Sequence, residues 1–539
     1  MEDKPGRSAG PDTGPEPAAA LPLTAAEDVA ILSALRVAEG RRPRASFRLT
    51  RWVYLRALGF CYVVAFAVLY NQALPLIGSQ GLLPADAYME RTRRFVLFRE
   101  HPTLFWFGIS DRAMQWWAGA GLVLSLLVLV GVDHALIMLA LWTVYLSFVH
   151  VGQLFYGYGW ETLLLEAGAL AVWLAPATQL RSARDPRPVP AIMHVWLCWL
   201  TFRLMFGAGM IKLRGDPCWR DLTCLYYHYE TQPVPHALSR LLHWAPRWFH
   251  QGGVLFNHFV EVVAPWGLFV PRLRHAAVAA IVAFQGILIL SGNLSFLNWL
   301  SIAVALGCVD DRVWNRLLPG RVRAHIRQDV QEPSRGRLGA VIAYSCVAGL
   351  LSISPALNML SPQQQMNTSF EPLHLVNSYG AFGSIDRSRD QVILEGTRDP
   401  QLTAATRWQP YALKCQPGAV QRRPCWITPY HYRLDWQMWF ASLSEASREP
   451  WLVHLVYKLL RNDAGALSLL NESPFQGQPP RYVRAERYRY RFTRMGSQTY
   501  WERERVGPYL PALSRDDPRL LSYLADHGLI RGERVDLGP

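Results

Sequence analysis

The chain has 539 residues, with 55 Lys and Arg against 41 Asp and Glu, a formal net charge of +14. It is 51% hydrophobic and only 18% charged, and 21 residues are Trp. With a mean hydropathy of +0.06, this composition excludes a disordered polymer, a collagen-like repeat and a small disulfide scaffold. Its apolar residues are gathered in runs, which argues against a soluble globular protein and for membrane spans flanked by Arg-rich loops.

Residues 1–50 read as a disordered, Pro/Ala/Gly-rich basic leader ending in Arg41, Arg42, Arg44, Arg48 and Arg51. No small-residue cleavage site follows the first apolar run, so this is not a removable signal peptide. That run, Trp52–Tyr70, has the length of a hydrocarbon core. Eight more follow: Trp117–Val132, His134–Val149, Thr162–Pro176, Ile192–Ile211, Val254–Val270, Ala276–Leu290, Leu294–Val309 and Leu338–Ile353. The reading is an α-helical multi-pass membrane protein with about nine spans or near-spans over residues 51–355.

Alternating sides from an inner N-terminus puts Arg181/Arg184/Arg187, Arg272/Arg274 and the basic loop Arg312–Arg337 on the inner face, as basic loops prefer. Arg91, Arg93, Arg94 and Arg99 fall outside, an exception that an extra half-span around Thr103–Ile109 would explain. The same count places the loop 212–253, and everything after about residue 356, on the outer or lumenal side.

After Pro355 the periodicity changes. Gln391–Glu395 and Tyr482–Phe492 read as strands, and Tyr432–Leu443 and Trp451–Arg461 as helices with apolar faces. Residues 356–510 are therefore expected to form a C-terminal α+β or mainly β extramembrane domain with its own core, followed by a tail over 511–539. The Arg/Tyr stripe at Arg481–Arg494 has the composition of a nucleic-acid strand, but an exposed strand face fits an outer location better, and no nucleic acid is expected as a partner.

Cys61, Cys198, Cys308 and Cys346 lie in apolar runs, where a thiol serves as a small buried hydrophobe. Cys218/Cys224 and Cys415/Cys425 form two close pairs on the expected outer side. Disulfides within pairs suit an oxidising compartment, whereas a zinc site lacks its usual Cys-x-x-Cys spacing. Asn367 and Asn471 head glycosylation sequons, and Asn293 heads a third that hugs a span.

No hydrolase elbow, phosphate loop or zinc-protease helix is present, and nothing calls for a metal or cofactor. The Gly207-Ala-Gly209 pattern fits close helix packing better than a phosphate cradle. Polar groups inside the spans carry more information, because a charge in lipid is costly. They are Glu161, Glu166, Arg203, and His258 with Glu261 on one helical face at i, i+3. Two readings remain open: a polar pocket with acid/base groups, or structural ion pairs such as Glu166 with Arg203. Trp244, Trp248 and Phe249 fit an interfacial aromatic belt better than a ligand-stacking surface.

Five blocks carry a family resemblance. They are Phe206-Gly-Ala-Gly-Met-Ile-Lys-Leu-Arg-Gly-Asp-Pro-Cys-Trp-Arg-Asp-Leu-Thr-Cys224, His228-Tyr-Glu-Thr-Gln-Pro233, Ser291-Gly-Asn-Leu-Ser-Phe-Leu-Asn-Trp299, Asn377-Ser-Tyr-Gly-Ala-Phe-Gly-Ser384 and Pro429-Tyr-His-Tyr-Arg-Leu-Asp-Trp436. Spread over roughly residues 50–510, they resemble the lipase maturation factors. The resemblance implies a multi-pass protein of the endoplasmic reticulum membrane that helps lipases such as lipoprotein lipase and hepatic lipase reach their active form. A bacterial source would make the membrane the inner one. The resemblance also implies fewer spans than nine, and a shielding role that needs no catalytic residue. The rival class is an integral-membrane enzyme using the buried Glu/His/Arg set on a lipid or protein.

Overall fold

The computed structural model describes residues 47–326, 334–475 and 477–530, so the leader before residue 47 and part of the basic loop lie outside it. Among the described residues, five helices are long and apolar enough to cross a membrane: α1 (Arg48–Ile77), α2 (Asp111–Val130), α5 (Ala191–Arg214), α7 (Arg274–Ser291), and Arg335–Leu360, whose first part is α9 (Arg335–Leu351). This corrects the expectation of about nine spans. The other four runs form α3 (Ala135–Val151), α4 (Gly159–Leu174), a broken segment beginning with α6 (Arg247–His258), and α8 (Leu297–Leu306). Hydropathy does not distinguish lipid from protein as the place where a side chain is buried, and α4 buries 13 of its 16 residues among its neighbours. The expected span Val254–Val270 is interrupted by a π-turn at Phe259–Val263 and a 3-10 segment at Ala264–Phe269 that contains Pro265.

The 30 residues of α1 extend about 45 Å, the longest rod in the bundle. It begins at Arg48, inside what reads from sequence as the leader, because Asp311 accepts from the backbone N–H groups of Arg48 (2.9 Å) and Thr50 (3.0 Å). The Asp311 carboxylate thus satisfies first-turn donors that have no partner within the helix. α1 runs closely along α2. A Cβ at Gly121 would sit 2.2 Å from the Phe66 ring, so only glycine permits this approach. Gly207 likewise faces the Tyr379 carbonyl oxygen, 2.6 Å from where a Cβ would be, in keeping with the packing reading of the Gly207/Gly209 pattern.

Polar contacts sort the helix ends into two sets. At one, Arg51 pairs with Asp185 (2.9 Å), Arg56 with Asp133 (2.5 Å), and Arg337 donates to the carbonyls of Trp173 and Ala175 (both 3.0 Å). This basic end gathers the loops near 181–187 and 310–312. At the opposite end, His454 bonds the Leu82 carbonyl (2.8 Å), His150 the Pro372 carbonyl (2.9 Å) and Arg214 the Met359 carbonyl (2.6 Å). Near the Arg91–Arg99 loop, the proposed extra half-span is a single 3-10 turn, Leu104–Phe107, packed on α3 through Thr103 and Ser147.

The C-terminal region is α+β. A four-stranded antiparallel sheet has the order β2-β1-β5-β6, formed by β1 (Arg389–Thr397), β2 (Gln409–Pro410), β5 (Tyr482–Phe492) and β6 (Trp501–Ser514). A two-stranded ribbon joins β3 (Ala412–Leu413) and β4 (Leu470–Glu472). Helices α10 (Arg433–Ser442) and α11 (Pro450–Leu460) lie between the strands in sequence, close to where amphipathicity places them. The Arg/Tyr stripe is a central strand whose arginines pair across it: Arg484 with Glu395 (2.8 Å) and Arg489 with Asp390 (3.0 Å).

Much of the region over 356–510 joins the main hydrophobic cluster, which runs from Phe47 on the bundle to Leu524, and its sheet also holds a smaller buried cluster of its own, Ile393, Tyr490, Phe492 and Trp501. The chain beyond residue 511 carries regular structure. β6 continues to Ser514, and α12 (Pro518–Asp526) buries Leu520 and Leu524. Its start is capped by Asp517, whose carboxylate accepts from the Arg519 N–H (2.9 Å).

Candidate functional site

Glu166 on α4 and Arg203 on α5 face each other at full burial and form a direct ion pair. The second Glu166 oxygen accepts from the Asn377 N–H (2.9 Å), the Asn377 side-chain amide (3.2 Å) and the Tyr379 hydroxyl (2.7 Å). Arg203 also donates to the Asn377 carbonyl. The pair is therefore a joint between two bundle helices and the loop that follows the last apolar helix.

Glu161, five residues earlier on α4, makes a second joint. It accepts from Arg433 of α10 (2.7 Å) and from the Tyr145 hydroxyl. Arg433 donates to the Phe155 carbonyl (2.6 Å) and lies 3.7 Å above the Tyr156 ring. Nearby, Gln72 of α1 accepts from the Arg433 N–H and donates to the His431 carbonyl, both at 2.9 Å. Glu161 and Arg433 are both completely buried, where an unpaired charge would be prohibitive.

Glu261 makes the third buried pair. Both its oxygens accept from the Lys212 ammonium (2.6 and 2.7 Å), which also donates to the Asn257 side-chain oxygen (3.0 Å). His258 does not join them as the i, i+3 spacing suggests. The helix widens into its π-turn at Phe259, and the His258 ring bonds the Trp219 carbonyl instead (3.0 Å). His258 is half-buried, while Glu161, Glu166, Arg203 and Glu261 are buried.

The segment 212–253 is folded rather than an open loop, with short helices at Pro217–Arg220, Leu225–Thr231 and Ser239–His243. It is stitched to the sheet. Arg389 on β1 donates to the carbonyls of Glu230 (3.2 Å) and Gln232 (2.6 Å), and burial pulls its guanidinium down to about 9. Glu230 accepts from the Phe492 N–H (2.6 Å), and burial raises its carboxyl. Trp244 donates to the Thr493 carbonyl (2.9 Å), so only Trp248 and Phe249 remain as the exposed part of the expected aromatic belt.

Cys218 and Cys224 lie with Cα atoms 4.8 Å apart, and Cys415 and Cys425 with Cα atoms 5.7 Å apart, both within disulfide reach. Just beyond, Asp435 accepts from the N–H groups of Cys415 (2.5 Å) and Gln416 (2.9 Å), and burial lifts its carboxyl to about 6. Asn367 and Asn471 are exposed. Asn293 is fully buried, bridging the Pro235 and Cys425 carbonyls and the Ile427 N–H. Cys61, Cys198 and Cys308 are buried, but Cys346 is exposed on its helix. Among the described residues, no group of three His, Cys, Asp or Glu side chains is arranged to hold a metal.

Residues that sequence reasoning missed are Lys212, Asn377, Tyr379 and Arg433. All four lie within the five quoted blocks as local pattern only, and none sits in a run whose periodicity marks it as facing a buried acid. Comparison with known proteins matches residues 49–316 to the lipase maturation factor transmembrane domain and residues 375–511 to the lipase maturation factor C-terminal domain. The chain belongs to the lipase maturation factor family. It is 45% identical to lipase maturation factor 1 of Bos taurus over 509 residues, 88% of this chain and 90% of that one. It is 42% identical to lipase maturation factor 1 of Homo sapiens over 534 residues, 91% and 93% of the two chains. Lipase maturation factor 2 of Xenopus laevis is 30% identical over 603 residues, 89% and 85%. No solved structure matches. In this family member, the two matched regions meet at the Glu161 and Glu166 joints.

Proposed function

We propose that the chain is a membrane-embedded maturation factor of the endoplasmic reticulum that assists folding, dimer assembly and secretion of lipases of the lipoprotein lipase and hepatic lipase type. The observation that carries this reading is the identity of 42–45% to lipase maturation factor 1 over about nine-tenths of the chain. The polar core supports a non-enzymatic role: Glu161, Glu166 and Glu261 each spend their oxygens on a cation and on neighbouring donors that hold helices and loops together. A newly made lipase exposes apolar lid and dimer surfaces, and a lumenal face formed by residues 212–253 and the C-terminal region would shield them. In an oxidising lumen the two cysteine pairs are disulfides, and Asn367 and Asn471 are acceptors for glycans. The test is co-expression with lipoprotein lipase in cells lacking their own factor. Secreted lipase activity well above an empty vector is expected; no increase overturns the assignment.

A further inference from the structure

Two cavities of about 390 and 410 Å³ lie side by side, sharing Leu204, Ala208, His228, Leu297 and Phe382 as common walls. Each falls within the roughly 300–1,000 Å³ of small-molecule sites. The first is lined mainly by apolar side chains of α5 to α8. Its rim includes the exposed Trp248 and Phe249 of α6 and Ile287 of α7. α7 is one of the helices long and apolar enough to cross a membrane, and Leu290, one turn beyond Ile287, is also exposed. The rim is thus apolar and continues onto a helix of membrane-spanning length.

The interior carries a few polar groups. Lys212 and Glu261 line the wall but neutralise each other. Asn298 donates to Gln285 (2.7 Å), which leaves its side-chain oxygen buried without a partner; His228 Nδ1 is in the same state. Both residues line the first cavity and both are more than nine-tenths buried. A buried polar atom without a partner is costly and calls for one. Burial, reinforced by the Lys212 charge, lowers His228 to about 4, so its ring is neutral near pH 7 and can donate at one nitrogen and accept at the other.

We propose that this chamber binds a neutral membrane lipid, with its acyl chain against the apolar walls and an uncharged, hydroxyl-bearing head at Asn298 and His228. Charge decides the class of head. An anionic head would face the Glu261 carboxylate and a cationic one the Lys212 ammonium, whereas a hydroxyl can donate to the Asn298 oxygen without disturbing their pair.

The test uses the full chain in phosphatidylcholine nanodiscs, with a diacylglycerol bearing a photoreactive diazirine on its acyl chain. Cross-links are expected on α6, α7 and α8, and excess unlabelled dioleoylglycerol should reduce them at least about fivefold; a phosphatidylserine probe should label the same peptides far less. Ala208→Trp, which fills the shared wall, should lower labelling to a similar degree. Uncompeted labelling spread evenly over exposed flanks, including α2, would overturn the site, and equal labelling by the phosphatidylserine probe would overturn the uncharged head. Competition is read on the unaltered chain, so the result stands even if Ala208→Trp fails to fold. No lipase is present, so the outcome is independent of the maturation role.

Discussion

The two ends of the helical bundle use the same chemistry for different purposes. At the basic end, Arg51–Asp185, Arg56–Asp133 and the Asp311 contacts to Arg48 and Thr50 tie the helices and their own short loops to one another. At the opposite end, Glu161 and Glu166 reach residues more than 200 positions away, Arg433, Asn377 and Tyr379, in the C-terminal region. Buried ion pairs are poor stabilisers in themselves, because desolvation offsets much of their attraction, but breaking one strands a buried charge. They therefore specify which surfaces meet. One set closes the bundle; the other fixes a sheet-bearing region onto it, and the shared hydrophobic core follows.

The largest expected effect comes from breaking the second set on one side. Arg433→Ala leaves Glu161 buried and unpaired, and should cost about 3–5 kcal/mol, read as a loss of folded, monodisperse protein in detergent. Adding Glu161→Gln should restore part of it. Asp133→Asn at the basic end keeps size but removes the charge and turns one of the two accepting oxygens into a donor facing Ser182 or Arg56. It should cost about 1–3 kcal/mol and leave protection of the C-terminal region from limited proteolysis unchanged.

The disulfide proposal lies between these two in size. Cys415→Ser should lower stability by about 2–4 kcal/mol. Thiol counting gives a sharper readout. Maleimide added to the unfolded, unreduced protein should mark only Cys61, Cys198, Cys308 and Cys346, and marking of the other four would refute the pairing.

Titration separates the ends further, because the shifted groups outside the spans lie on the sheet-bearing side. Burial holds His228, His236, His243 and His454 down at about 4. Between the ordinary value near 6.5 and about 4 the folded form stays neutral while the unfolded chain takes up protons, so each favours unfolding as pH falls through that window. Asp435, raised to about 6, acts in the opposite sense, binding its proton in the folded state first. The lowered histidines, His101, His250 and His374 included, outnumber the raised carboxyls of Asp435, Glu230, Glu371 and Asp386, which predicts a net fall in thermal stability from pH 7 to pH 5. His236→Gln should reduce that fall. The smallest effect belongs to the exposed cross-strand pair: Arg489→Ala should cost no more than about 1 kcal/mol.

The sequence was most legible where a pattern is local. The strand Tyr482–Phe492 is recovered with the same bounds, and α10 and α11 to within one residue at each end, because alternation and helical amphipathicity are short-range signals. Its neighbour β6 was missed because Gly507, Pro508 and Pro511 interrupt the alternation, which the structure absorbs as register shifts against β5. The acids of the joints were visible as charges inside apolar runs, and Arg203 as a partner for Glu166. Arg433 was not visible, since a cation in a short polar helix carries no mark of the distant carboxylate it meets. Lys212 read as the first residue of a loop because it sits at the end of an apolar run, yet it folds inward onto Glu261. Span number was misread for the converse reason: short apolar runs such as α4 are hydrophobic because other helices surround them.

The central claim, that the buried acids join the two regions rather than perform chemistry, is tested most directly by a double-mutant cycle on Glu166 and Arg203 that reads folded yield and secreted lipoprotein lipase activity in the same cells. Glu166→Gln and Arg203→Gln should each lose both quantities in parallel, and the double variant should recover both together. A Glu166→Gln chain that folds as well as the unaltered protein yet supports no secreted lipase activity would contradict the claim.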